Sequence, residues 1–356
     1  MRAAVLESFG SPLTVREVPD PVPGTGEVVV DVAAAGVLPY AAEVFSGERN
    51  YLLSLPAVPG VGAVGRVRSV GPDATRLSPG DWVLCDPAIR SRDDALTPDI
   101  VLQGWSARGE GGLALERYYG RGSFAERLLV PTENAAPLGP IDPADAGRWC
   151  ALHVCTVPYG GLHAVGLQPG ETVLVSGATG NFGSVGVATA LAMGAGVVVA
   201  PGRNATMLAE LEKRFGPRVR TVELTGEEDT ERMRAAAGPV DVVLDLLPPS
   251  APASAVRSAV MAVREYGRVV LMGGVGMLGG ADLALPYPWL MRNSVTVRGQ
   301  WMHRREAVGR VIALARAGLL DLAGFAVTEF ALDDVEAAVR VAADRGGRFR
   351  LTVLRP

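Results

Sequence analysis

Three glycines, Gly177, Gly180 and Gly183, follow directly on the β-favouring run Val173-Leu174-Val175 and stand at the head of a stretch of small residues. A strand, a glycine turn and a helix in that order make an anion site. The turn lets backbone approach a phosphate closely, and the helix N-terminus beyond it presents unpaired N–H groups. Each glycine has its own use: a tight turn, close approach to a pyrophosphate, and close packing of helix on strand. A second β-favouring run, Val197-Val198-Val199-Ala200, follows the helical stretch read from about Ser184 to Met193. Together these make the unit that binds a dinucleotide, with Gly177, Thr179, Gly180, Asn181, Phe182 and Gly183 as the expected contacts. The spacing G-x-x-G-x-x-G departs from the common G-x-G-x-x-G, so the flanking strand and helix carry the assignment rather than the triplet alone.

The end of the second strand selects the cofactor. A carboxylate there would accept hydrogen bonds from the adenosine ribose, whereas a basic residue pairs with a 2′-phosphate. The chain has Ala200-Pro201-Gly202-Arg203-Asn204, and the next carboxylate after Glu171 is Glu210, already inside the following helical pattern. Arg203, with Asn204 beside it, therefore points to NADP, the alternative being a solvated turn arginine. Gly273, just past the strand expected at Gly267–Met272, is placed with the cofactor residues.

The rest of the chain bounds what those residues serve. At 356 residues it exceeds the size at which one core usually stops growing, so two domains are expected. A net charge of −4 gives no field for nucleic acid or anionic lipid, and neither is expected as a partner. The stretch Thr172–Gly202 carries no charge, but Ser176, Thr179, Asn181, Pro201 and its glycines interrupt it too often for a membrane span. Glu7 interrupts the short apolar run at the N-terminus, which reads as a cytoplasmic protein rather than a secreted one. Cys85, Cys150 and Cys155 are not in C-x-x-C spacing, so no disulfide framework or four-cysteine zinc site is readable. Lys213 is the only lysine, which excludes Schiff-base chemistry elsewhere.

Short alternating strands broken by Pro and Gly run from Met1 to about Pro137: Ala3–Leu6, Leu13–Glu17, Glu27–Ala34, Gly62–Val70, Asp81–Cys85 and Ser123–Val130. Between Asp86 and Arg121 lies a polar stretch with Trp105, Tyr118 and Tyr119, too long for a connector and read as a lobe or lid. From about Asp142 the period becomes helical, and strands then alternate with helices through Val240–Leu246, Gly267–Met272 and Ser294–Gly299. That is the pattern of an α/β doubly wound parallel sheet. A helix over about Arg304–Ala317, a strand at Phe325–Phe330, a short helix near Asp333 and a last strand at Phe349–Leu354 close the chain.

This order, with Gly36, Pro59-Gly60, Gly62-Ala63-Val64-Gly65, Val70-Gly71, Pro79-Gly80-Asp81 and Gly122-Ser123-Phe124-Ala125-Glu126, resembles the medium-chain dehydrogenase/reductase superfamily over nearly the whole chain. The resemblance implies a β-rich GroES-like catalytic domain over 1–145, a Rossmann-type NADP-binding domain over 146–301 and a return to the catalytic domain over 302–356. It also implies a homodimer joined through the edge of the nucleotide-domain sheet, at Leu285–Leu290 and Ser294–Gly299.

Zinc alcohol dehydrogenases of that superfamily carry a ligand cysteine where this chain has Leu38, and a Gly-His-Glu where it has Gly60-Val61-Gly62. Cys155 falls at a third ligand position, but one thiolate cannot hold a catalytic zinc, and it reads rather as a small buried hydrophobe. No metal is expected. What remains is similar to the zinc-independent branch, the quinone oxidoreductases and enone or enoyl reductases, which implies NADPH-dependent hydride transfer to a small conjugated carbonyl. Tyr40 stands where zinc members place a proton-relaying hydroxyl, and is the catalytic candidate or else a pocket wall. Tyr51, Tyr159, His153 and His163 are weaker candidates. Arg348, with Arg350 as fallback, matches the family's basic residue on the pyrophosphate. An alcohol dehydrogenase or ketoreductase without zinc, and a non-catalytic NADPH sensor or scaffold, are the alternative functions.

Overall fold

A computed structural model of the chain describes residues 1–93 and 95–356. The chain divides into two compact units, Met1–His153 with Leu322–Pro356, and Val154–Asp321.

The first unit is built around β3 (Glu27–Val37), a long strand rich in Val and Ala whose residues are mostly buried. It pairs antiparallel with β4 (Ala63–Val70), with β9 (Arg127–Pro131) and with β18 (Arg350–Arg355). β5 (Trp82–Cys85) and β10 (Ala135–Pro137) extend the sheet beyond β4, and β17 (Ala326–Ala331) lies parallel to β18. The C-terminal residues thus enter the sheet begun by the N-terminal ones, as expected. Two family-like motifs meet here: the Phe124 N–H donates to the Pro59 carbonyl and the Gly122 N–H to the Val58 carbonyl, both within 2.9 Å. β1 (Arg2–Val5) and β2 (Thr14–Glu17) form a separate hairpin.

The stretch read as a lobe folds into β6 (Ala88–Arg90), β7 (Ile100–Leu102) and β8 (Ser106–Ala107), a three-stranded antiparallel sheet followed by helix α2 (Gly109–Tyr119). It has its own apolar centre of Ile89, Val101, Ala107 and Tyr119. That small core explains how a Gly-rich, charge-rich sequence holds a shape.

The second unit is a six-stranded, all-parallel sheet in the order β13 (Val219–Glu223), β12 (Val197–Gly202), β11 (Thr172–Ser176), β14 (Val240–Asp245), β15 (Val263–Leu271), β16 (Thr296–Gly299). Counted within the unit this is 3-2-1-4-5-6, the order of a dinucleotide-binding fold. The inner strands are near-continuous Val and Leu runs because helices cover both faces. Leu174, Val199, Val243, Val256, Val260 and Val269 are among the residues of one buried cluster. β13, with Arg220 and Glu223 exposed on it, escaped the sequence reading for want of such a run.

The units divide at 153/154 and 321/322 rather than at 145/146 and 301/302. Helix α10 (Glu306–Arg316) stays with the second unit because it faces helix α4 (Ala151–Ala164). Tyr159 feels the charges of Arg310 and Glu306, and a Cβ at Gly160 would meet His303 Cβ at 2.5 Å.

Candidate functional site

The glycine turn sits at the carboxyl end of β11, where an open α/β sheet binds its ligand. Gly177 has φ +84°, which only glycine adopts without strain. A Cβ on Gly183 would lie 1.9 Å from the Gly177 carbonyl oxygen, so helix α5 (Asn181–Ala192) approaches the turn as closely as backbone allows. The helix begins at Asn181, three residues before the position read from sequence, with extended Gly180 as its N-cap. No side chain caps it and no carboxylate stands in its first turn. Its positive end is therefore left for an external anion, such as a pyrophosphate.

Around this turn the structure gathers most of the expected cofactor residues. A Cβ on Gly202 would come within 2.6 Å of Thr179 Cγ2, so the end of β12 lies against the turn. Arg203 follows Gly202 and is exposed. Asn204 proves to be a helix cap: its Oδ1 accepts from the Met207 N–H at 3.0 Å, starting helix α6 (Ala205–Phe215). Gly273 lies past the end of β15, where a Cβ would fall 2.5 Å from Asp245 Oδ2.

Asp245, the buried last residue of β14, was not anticipated. Burial pushes its carboxyl up to about 6, against hydrogen bonds from Ser176 and from the Leu247 and Gly273 backbone that pull it down. Its Oδ1 is buried and has no hydrogen-bond partner among the described residues. The signal in the sequence was a lone acid ending an apolar strand beside a glycine-rich loop.

Tyr40 and Arg348 belong to the first unit. Tyr40 precedes the short helix α1 (Ala41–Phe45). Its ring meets buried Trp105 edge-on, with centroids 5.8 Å apart, and Trp105 in turn meets Phe45 at 5.7 Å. The Arg49 guanidinium lies 4.4 Å from the Tyr40 ring centroid and its Nε donates to Glu43 at 2.7 Å. Burial, reinforced by neighbouring Tyr51, pushes the Tyr40 phenol well above its ordinary value, and Arg49 only partly opposes this. A phenol so held remains protonated and can donate a hydrogen bond at physiological pH. Arg49 was not singled out from sequence. Arg348 occupies the turn between helix α11 (Val335–Arg345) and β18, while Arg350 is exposed on β18.

The weaker candidates are mostly accounted for by packing. Tyr159 is buried and stacks on His163. His153 Nε2 donates to the Cys85 carbonyl at 3.0 Å. Tyr118 and Tyr119 hydroxyls both donate to Glu27, a buried carboxylate, so they brace the lobe.

The donor set does not fit a zinc ion. Leu38 and Val61 are aliphatic, and the space beside Gly62 is taken by His153 Nε2. Cys85, Cys150 and Cys155 are buried free thiols, and one thiolate alone cannot hold a catalytic zinc. No cluster of three or more His, Cys, Asp or Glu side chains suited to a metal occurs among the described residues.

Comparison with known proteins agrees with this architecture. Residues 24–140 match the alcohol dehydrogenase GroES-like domain and residues 182–317 the zinc-binding dehydrogenase family. An alcohol dehydrogenase of Moraxella sp. (strain TAE123) is 30% identical over 320 residues, 89% of each chain. The chain belongs to the medium-chain dehydrogenase/reductase superfamily. Within that superfamily an acryloyl-coenzyme A reductase of Metallosphaera sedula is 28% identical over 87% of each chain. The crystal structure of a thermostable alcohol dehydrogenase from Pyrobaculum aerophilum superposes with a TM-score of 0.77 at 26% identity, covering 100% of this chain and 99% of that one. The chain is thus an oxidoreductase of the medium-chain superfamily, and its relatives include both alcohol dehydrogenases and a reductase of an enoyl thioester.

Proposed function

We propose that the chain is a metal-free, NADPH-dependent reductase of a small conjugated carbonyl: a quinone, an enone or an enoyl thioester. The observation that carries this reading is the pairing of apolar residues at the metal positions with a phenol, Tyr40, held protonated nearby in sequence and in the same unit. When bound, NADPH supplies a hydride. The helix α5 N-terminus would hold its pyrophosphate and Arg203 its 2′-phosphate. Tyr40 would donate a hydrogen bond to the substrate oxygen on which negative charge gathers. One neutral phenol suits a carbon already made electrophilic by conjugation, since an unactivated ketone requires stronger polarisation. The acryloyl-coenzyme A reductase among the relatives supports the same substrate class.

The Moraxella relative favours a second reading, a zinc-free alcohol dehydrogenase or ketoreductase. Oxidation of NADPH against quinones, enones, enoyl thioesters and simple ketones separates the two. Conjugated acceptors should react, and Tyr40→Phe should lower kcat by about 10²- to 10⁴-fold. Turnover of ketones alone would establish the second reading, and no turnover of any acceptor would leave a cofactor-binding sensor.

The proposal extends to a homodimer formed at the β16 edge. β16 has a single neighbour in its sheet, and Tyr287 and Met291 on helix α9 (Tyr287–Arg292) are more than half exposed. Paired edges avoid uncontrolled strand addition. No helix among the described residues is long and apolar enough to cross a membrane.

A further inference from the structure

A cavity of about 460 Å³ opens in the first unit where helix α2 approaches the β1–β2 hairpin and the segment 54–58. Its volume is within the range of small-molecule sites. None of Tyr40, Trp105 and Phe45 lines it. Two kinds of surface make its wall. Val18, Pro21, Pro56, Leu129 and the ring of Tyr118 contribute apolar surface, and none of these five residues is fully buried. Arg16, Arg117, Arg121 and Arg127 contribute positive charge.

Two of the four guanidinium groups are already matched. Arg16 Nη2 lies 2.7 Å from Glu7 Oε1. Arg127 Nη1 donates to Asp20 Oδ2 at 2.5 Å, and its buried Nε lies 3.6 Å from Asp31 Oδ1. Arg117 and Arg121 are exposed and make no ion pair among the described residues. Arg121 is nevertheless held in place: its Nη1 donates to the Pro19 carbonyl at 2.6 Å, which leaves Nε and Nη2 to an outside acceptor. Glu116, the one carboxylate lining the cavity among the described residues, does not answer them. Its Oε2 accepts from the Ser54 N–H at 3.1 Å and from the Ser54 hydroxyl at 2.5 Å, and its Oε1 is shut away from solvent. The Tyr118 and Tyr119 hydroxyls donate to Glu27, and the Gln103 amide to the Leu129 carbonyl.

The charged donors left in the wall are therefore those of Arg117 and Arg121. The parallel N–H groups of a guanidinium match a carboxylate or a phosphate, and positive groups on a concave wall concentrate the potential that draws one in. A bare inorganic ion would leave the apolar surface uncovered, so the wall fits an anion with an apolar body. We propose that this cavity binds a small organic anion, its carboxylate or phosphate on Arg117 and Arg121 and its apolar body against Val18, Pro56 and Leu129.

Calorimetric titration tests this with hexanoate and hexyl phosphate as organic anions. Acetate and inorganic phosphate serve as heads without a body, and hexylamine and hexanol as bodies without the negative charge. Hexanoate or hexyl phosphate should bind, about five-fold or more tighter than its bare head, and the tighter of the two identifies the head group. Hexylamine and hexanol should not bind, and added salt should weaken the anion's binding. Arg117→Ala should weaken it by about 10-fold, the loss of one charge-assisted hydrogen bond, and Arg117→Glu should abolish it. Arg117 is exposed and bonds to no other side chain among the described residues, so both variants keep the fold. Arg121→Gln, an independent change on the same wall, should weaken binding as well. Absence of binding by both organic anions, acetate or phosphate binding as tightly as its hexyl counterpart, hexylamine or hexanol binding as tightly as the anions, or unchanged affinity in Arg117→Glu overturns the proposal.

Discussion

Gly62 and His153 exclude each other's side chains. Gly62 adopts φ +71°, and a Cβ built on it would lie 2.5 Å from His153 Nε2 and 2.7 Å from the Cys85 carbonyl oxygen. That nitrogen is committed to the same carbonyl at 3.0 Å. The family position that carries a glutamate in zinc enzymes is thus filled from across the fold by an imidazole.

Two outcomes are expected from this contact. Purified protein should hold no stoichiometric zinc by metal analysis and keep its activity after chelation. Gly62→Glu should not create a metal site, and should lower stability by about 1–3 kcal/mol through the left-handed backbone alone. The contact with His153 adds to that. A zinc-loaded Gly62→Glu of unchanged melting temperature would contradict the packing account.

Arg203 follows the strand that abuts the glycine turn, and no carboxylate follows that strand in sequence before Glu210. Fluorescence titration should find NADPH bound more tightly than NADH. Arg203→Ala should remove about 1.5–3 kcal/mol of that preference, the range for a charge-assisted contact. Equal affinity for both cofactors in the unmodified protein would remove Arg203 from the site.

The parts of the chain legible in sequence are those whose constraints are local. The Gly177, Gly180 and Gly183 turn announces itself because a left-handed turn and a close helix approach admit no other residue. The parallel sheet shows in runs such as Val173-Leu174-Val175 because burial on both faces leaves no polar position. In sequence His153 stood only as a weaker catalytic candidate and Asp245 not at all, since each acquires its role from residues far away in sequence: Cys85 and Gly62 for one, Ser176 and Gly273 for the other. Helix α2 was hidden for a related reason. Its opening Gly109-Glu110-Gly111-Gly112 disfavours a helix, which forms because Gly112 packs against the Ile100 carbonyl with room for no Cβ.

Asp245 carries a pH dependence whose sign follows from its environment. Its folded value, about 6, lies above the ordinary 3.8, so folding favours the protonated carboxyl. That contribution is complete below about pH 4 and is lost as pH rises through 6. It amounts to about 3 kcal/mol over the full window. Asp245→Asn should flatten the fall in stability between pH 4 and 8 seen by denaturant titration. An unaltered pH profile in the variant would show that the carboxyl ionises freely in the fold.

The proposed dimer rests on a sheet edge. β16 is paired on one side only, and its neighbourhood exposes Tyr287, Met291 and Trp301 by 43% or more. A strand edge flanked by large apolar side chains is favourable in water only when covered, and a second copy related by a two-fold axis covers both edges at once. Sedimentation equilibrium at micromolar concentration should give a dimer. Val297→Pro on β16 removes an N–H from the ladder and introduces a ring that blocks strand addition. It should shift the protein to monomer while the glycine turn at the end of β11, three strands away in the sheet, still binds cofactor. A variant that remains dimeric would move the interface elsewhere, and an unmodified protein that sediments as a monomer would refute the edge pairing altogether.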